Sequence, residues 1–217
     1  MIKKIKKMIP LNNNLSGYTL SDSSHVLGKE QERTEVLVFG FWTFLMSDFI
    51  LFGLMFATYV AMLKNTAMGP GPKDVFDLTS VFIQTMALLF SSITFGIATL
   101  GMRYQQKISR IITWLIITLC LGATFLFFEV SDFISMFSQN AGPSRSGFLS
   151  AFFGLVPLHG LHVTVGSLWL IVMIIQILVF GMVPMVQSRL LRLGIFWHFL
   201  DIVWVGIFSI VYLAGLL

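Results

Sequence analysis

With 217 residues, 56% of them hydrophobic and only 11% charged, the sequence excludes an ordinary water-soluble domain, in which about a quarter of residues carry charge. The formal charge of +4 does not point to nucleic acid, because the basic residues stand at the ends of long apolar runs. The single cysteine, Cys120, excludes a disulfide within the chain and any paired-cysteine copper or zinc site.

In chain order, residues 1–35 come first. "MIKKIKKMIPLNNNLSGYTLSDSSH" carries lysines but lacks the apolar core of about 7–15 residues and the small-residue cleavage site of a secretory signal. It reads as a polar cytoplasmic arm, poorly ordered unless a partner holds it. Five uncharged or nearly uncharged stretches then follow, each long enough to cross a hydrocarbon core, which takes about 20 apolar residues in a helix. They are predicted at 36–63, 78–102, 111–137, 148–180 and 191–217. The predicted fold class is therefore an all-α membrane protein, with a five-helix transmembrane domain over 36–217.

"GPGPKD" (69–74) and "QNAGPSRSG" (139–147) punctuate two of the connectors, since Pro and Gly end helices and make turns. The connectors are short, so consecutive helices are expected to be antiparallel neighbours. The fourth span, at about 33 residues or roughly 50 Å, exceeds the bilayer core and must tilt, bend or project. Pro157 within it removes a hydrogen bond to the carbonyl of Phe153. The basic residues set an orientation. Lys3, Lys4, Lys6, Lys7, Lys29, Arg33, Arg103, Lys107, Arg110, Arg189 and Arg192 share one side, against Lys64, Lys73 and Arg145 on the other. Basic residues are retained inside, so the N-terminus is expected in the cytoplasm and the C-terminus in the periplasm.

Polar groups within the spans need a reason, because an unpaired one in hydrocarbon costs several kcal/mol, of order 2–7. Asp48 lies near the centre of the first span, Glu129 and Asp132 in the third, His159 and His162 in the fourth, and His198 and Asp201 in the fifth. Each of the last three pairs is spaced i, i+3, which puts both members on one helix face. A metal site could draw on the histidines and Asp201, but the i, i+3 spacing differs from the i, i+4 pair of zinc hydrolases, and no Glu stands beside either histidine of the fourth span. A proton relay needs groups at every depth, and no continuous line is legible. The remaining reading is structural: His–carboxylate pairs that join helices or hold a lipid head group. In that reading His159 and His162 are expected to meet Asp48 or Asp201.

"FGFWTFLMSDFILF" (39–52), "LLFSSITFG" (88–96), "RSGFLSAFFGLVPLHGLHVTVGSLW" (145–169) and "FWHFLDIVWVGIFSIVYL" (196–213) closely resemble subunit III of the haem–copper terminal oxidases, and the match covers all five spans in order. Five spans, the first connector and the polar arm look most like the bo-type ubiquinol oxidases of bacteria. The resemblance implies a non-catalytic subunit of a proton-pumping respiratory oxidase in the bacterial inner membrane. It implies haems and copper in a partner catalytic subunit I, subunits II and IV beyond it, and phospholipid in a cleft between the helices. The residues agree on one point: two haems and a copper take six histidines, and only three lie in the spans here. Asp48 stands at the position of a carboxylate that reacts with carbodiimides in the family; the cytochrome c branch often has Glu there. Glu129, His159, His162, His198 and Asp201 match family positions, Asp132 more loosely, as a buried polar network or lipid site with no catalytic or metal-ligating role. Subunit III of a cytochrome c oxidase and an independent small transporter are the alternatives.

Overall fold

The computed structural model describes residues 20–67 and 78–213, with side chains from Val36 onward. Among these residues all regular structure is helical. α1 is Leu20–Met62, α2 Leu78–Arg103, α3 Ile108–Ser138, α4 Gly147–Phe180 and α5 Pro184–Ile207, continued by a π-helical turn at Phe208–Leu213. Five of these stretches are long and apolar enough to span a membrane: Val36–Met62, Leu78–Arg103, Ile108–Ser138, Gly147–Phe180 and Pro184–Leu213. The all-α, five-span prediction holds.

Two boundaries differ from expectation. α1 begins at Leu20, inside the stretch read as an unstructured arm. Once the apolar span has nucleated a helix, the preceding Lys, Glu, Gln and Arg residues extend it at little cost, since they are good helix formers. Residues 1–19 and the 69–74 turn lie outside the described residues. α5 begins at Pro184 rather than near Leu191. Proline is at home in the first helical turn, where its missing N–H is not needed, and Arg189 and Arg192 are carried on the helix instead of a loop.

Local chemistry closes the other ends. Ser146 caps α4, its hydroxyl accepting from the Leu149 N–H (3.2 Å). Gly181 ends the same helix at φ 71°, a backbone conformation that favours glycine. α4 is continuous through Pro157.

Two compact units are distinguished, residues 1–46 and 47–217. In the first, the Thr43 hydroxyl donates to the Phe39 carbonyl one turn back (3.0 Å), and Phe39, Trp42, Phe44 and Met46 are exposed, as lipid-facing side chains are. In the second, α2, α3, α4 and α5 form a four-helix ring in which α2 packs on α3, α3 on α4, α4 on α5 and α5 back on α2. The connectors 104–107, 139–146 and 181–183 are short, which makes the three consecutive pairs antiparallel neighbours as expected. The 47–62 stretch of α1 packs on helices distant from it in sequence. Its contacts run to α4 and the end of α5: Phe52 with His162, Tyr59 with Phe148 and with the carbonyl of Val211, and Phe56 against Gly206.

Lipid tails are as apolar as leucine, so close packing and inter-helix hydrogen bonds hold such a bundle together more than apolar burial does. The interior shows both. Phe95, Leu115, Phe125, Leu170 and Trp204 are fully buried. The Phe125 and Trp204 rings meet edge to face at 4.6 Å. Two tryptophans of α5 donate to hydroxyls of α2: Trp197 Nε1 to Ser91 Oγ (3.0 Å) and Trp204 Nε1 to Thr85 Oγ1 (3.1 Å).

Candidate functional site

The ring places the ionisable groups at three helix junctions. The first lies between α1 and α4. Asp48 is buried, and its Oδ2 faces His162 Nε2 at 3.6 Å. The other nitrogen of His162 donates to the Leu158 carbonyl one turn back (Nδ1···O 2.7 Å), which fixes the ring and aims Nε2 at the carboxylate. At 3.6 Å the pair is too long for a hydrogen bond, and Oδ2 has no other partner among the described residues. One proton on either member turns two facing acceptors into an attractive pair. Phe52, one turn beyond Asp48, packs on the rings of both His162 (5.2 Å) and His159 (6.3 Å).

The second junction joins α3, α4 and α5. His159 has no exposed surface. Its Nε2 lies 3.1 Å from the carbonyl of Leu200 on α5, and a carbonyl only accepts, so Nε2 carries the proton. Phe125 (5.7 Å) and Trp204 (5.3 Å) enclose the ring, and Nδ1 is buried without a partner. The expected carboxylate partner is thus replaced by a backbone carbonyl, one residue before Asp201. Side-chain spacing in the sequence carries no information about such an acceptor. Glu129 of α3 is buried against the backbone of α4 at Gly160, where a Cβ would lie 2.5 Å from its Oε2. A side chain at this position would require the carboxylate to shift.

The third junction is the α2 face. Asp132 accepts from Ser80 Oγ (2.9 and 3.0 Å) and from Gln84 Nε2 (2.6 Å). Further along α2, Ser92 Oγ lies 2.6 Å from His198 Nδ1 of α5, and the Asp201 carboxylate lies against the same hydroxyl. Glu129 and Asp132 share a helix face in the sequence, yet they serve different neighbours: Gly160 of α4 and the Ser80–Gln84 pair of α2.

Asp48 and His162 are thus brought together, as are His198 and Asp201. His159 and His162 are not: one turns to α5 and the other to α1, so their nitrogens do not converge on one point. Among the described residues no group of three or more His, Cys, Asp or Glu is placed to hold a metal ion. The residues that sequence reasoning missed are those of α2: Ser80, Gln84, Thr85, Ser91 and Ser92. Their recurrence along one helix, including Ser80–Gln84 at i, i+4, was the available signal.

The profile of the family described as "Cytochrome c oxidase subunit III" matches residues 19–216. The chain belongs to this family. A relative from Pseudomonas aeruginosa, "Cytochrome bo(3) ubiquinol oxidase subunit 3", is 47% identical over 180 residues, 83% of this chain and 86% of the relative. "Quinol oxidase subunit 3" of Bacillus subtilis is 40% identical over 187 residues, 86% and 91%. The bo(3) subunit 3 of Buchnera aphidicola from Acyrthosiphon pisum is 35% identical over 205 residues, 94% and 98%. Five spans and bacterial relatives make this subunit III homologue a multi-pass protein of the bacterial inner membrane.

Proposed function

We propose that this chain is the non-catalytic subunit III of a proton-pumping haem–copper quinol oxidase of an aerobic respiratory chain. It packs on the catalytic subunit I and through it assembles with subunits II and IV; the haems and copper reside in the partner. The observation that carries this reading is the use made of the ionisable groups at mid-membrane. His159 is committed to a backbone carbonyl inside an aromatic cage, His162 to Asp48, and His198 to Ser92. These contacts brace neighbouring helices. The names of the relatives favour quinol as the electron donor of the complex.

In the same reading residues 1–35 form the cytoplasmic arm, 36–217 the transmembrane domain, and the C-terminus is periplasmic, as the distribution of basic residues favours. Phospholipid lies between the helices. Asp48, Glu129, Asp132, His159, His162, His198 and Asp201 set the spacing of the helix walls that receive it.

The test is affinity purification of the tagged chain from its native membrane in mild detergent. The expected product is a multi-subunit complex with a haem spectrum, quinol-dependent oxygen consumption and co-purifying phospholipid. A chain recovered alone, stable and without haem-bearing companions, overturns the reading.

A further inference from the structure

One of the three polar junctions is not closed by the described residues. His198 and Asp201 lie near the middle of the Pro184–Leu213 span, opposite Ser92 near the middle of the Leu78–Arg103 span. At that depth a side chain meets either hydrocarbon or another protein. His198, Asp201 and Ser92 are each partly exposed at the α2–α5 seam, with Asp201 Oδ1 itself buried. His198 Nδ1 is held by Ser92 at 2.6 Å, whereas its Nε2 has no partner among the described residues and is not among the buried polar atoms. An ionisable ring aimed outward at mid-bilayer is costly against lipid tails.

The surroundings admit a close neighbour. Gly96 stands one turn from Ser92, and no atom lies within 4 Å of where its Cβ would be. From Gly96 a groove of about 520 Å³ continues along Thr99, Gln187 and Leu191 toward the helix ends. On α5, Ile195 and Ile202 flank His198 on the same face and are exposed. Small residues on one helix beside a polar side chain on the next are the features that let transmembrane helices associate.

We infer that the seam formed by Ser92 and Gly96 of α2 with Ile195, His198 and Ile202 of α5 is the surface that receives a transmembrane helix of the catalytic partner, and that this helix brings a hydrogen-bond donor to His198 Nε2. The inference rests on the oxidase-subunit reading and adds to it the docking face and the chemistry of the contact. The donor belongs to one arrangement of the protons at this junction. With the Ser92 hydroxyl turned to the adjacent Asp201 carboxylate, Nδ1–H donates to the serine oxygen at 2.6 Å and Nε2 is left as an acceptor. A hydroxyl, an indole N–H or an amide fits that position. A second acceptor does not.

The experiment uses the whole complex in its native membrane, with a photo-cross-linking amino acid placed singly at Ile202 of α5 or at Leu161, an exposed residue of α4. All polar residues stay wild type. Cross-links from position 202 to the large haem-bearing subunit, with lipid adducts dominating at 161, are expected. In parallel, His198→Phe is expected to lower retention of this chain on the purified complex by roughly threefold to tenfold, the range of one inter-helix hydrogen bond in a membrane, while His198→Gln, which keeps an acceptor, restores part of it. Lipid adducts alone at position 202, with protein cross-links from 161, overturn the inference and leave the oxidase reading standing. A wild-type chain that co-purifies with no haem-bearing companion overturns both.

Discussion

Glu129 and Gly160 are packed so closely that a methyl group in place of the glycine hydrogen would lie 2.5 Å from the carboxylate oxygen Oε2 and 2.6 Å from Oε1. The contact lies between α3 and α4, one residue past His159. The buried carboxylate and the absent side chain therefore act as a single feature. Gly160→Ala is expected to destabilise the subunit by about 1–3 kcal/mol through overpacking. Glu129→Ala in the same chain is expected to restore most of that loss, because the obstructing atoms are gone. Thermal denaturation of the detergent-solubilised complex, followed by release of this subunit, measures both. Equal losses in the single and double variants would show that the carboxylate is not what the alanine strikes.

The Asp48–His162 pair is expected to be weak. At 3.6 Å it falls outside hydrogen-bonding range, and polar contacts between membrane helices average only about 0.6 kcal/mol, with maxima near 1.7. A double-mutant cycle with Asp48→Ala and His162→Ala, read as subunit retention in detergent, is predicted to give a coupling at or below about 1 kcal/mol. A coupling of several kcal/mol would mean that the two groups meet more intimately than this geometry allows.

Trp204 separates shape from hydrogen bonding. Its indole fills the space between Phe125, His159 and Tyr212, and its Nε1 donates to Thr85. Trp204→Ala is expected to cost about 3–5 kcal/mol, as large aromatic deletions in packed interiors do. Thr85→Val, which removes the hydroxyl that accepts from the indole and itself donates to the Val81 carbonyl one turn back (2.8 Å), is expected to cost about 1–2 kcal/mol, chiefly the desolvation cost of an unpaired indole N–H. Comparable losses from the two variants would overturn this division.

Replacing His159 and His162 together by Leu is predicted to loosen the subunit from its complex while leaving the haem spectrum of the complex unchanged. The first effect follows from the loss of the Leu200 carbonyl contact and the pairing with Asp48. The second follows because neither ring presents a free nitrogen to a shared point. Detergent titration and visible absorption of the same sample check the two halves separately.

The spans were legible because twenty-odd uncharged residues in a row have few other uses, and the number and order of helices followed from that alone. The start of α5 was not, because Arg189 and Arg192 read as loop residues. In the structure they sit on the first turns of a helix, with Arg189 Nη1 donating to Gln176 of α4 (3.1 Å). The polar residues of α2 were overlooked for a related reason. Ser and Thr in membrane helices commonly satisfy themselves on their own backbone, as Thr124 does on the Cys120 carbonyl, so a hydroxyl by itself does not announce a cross-helix partner. The histidines announced a site, but their partners were only half readable. His162 does face a carboxylate; His159 donates to a main-chain carbonyl, a group that every residue possesses. The place of α1 was likewise hidden, since connector length says which helices can be neighbours and not which surfaces fit.

The central claim is that the costly groups inside this membrane protein are spent on holding helices, while oxygen chemistry belongs to another polypeptide. Haem and copper analysis of this subunit after it has been stripped from the purified complex tests the claim most directly. The account predicts that all haem and copper remain with the other subunits and that the stripped chain carries neither. Haem or copper retained by the isolated chain in a stoichiometric amount would contradict it.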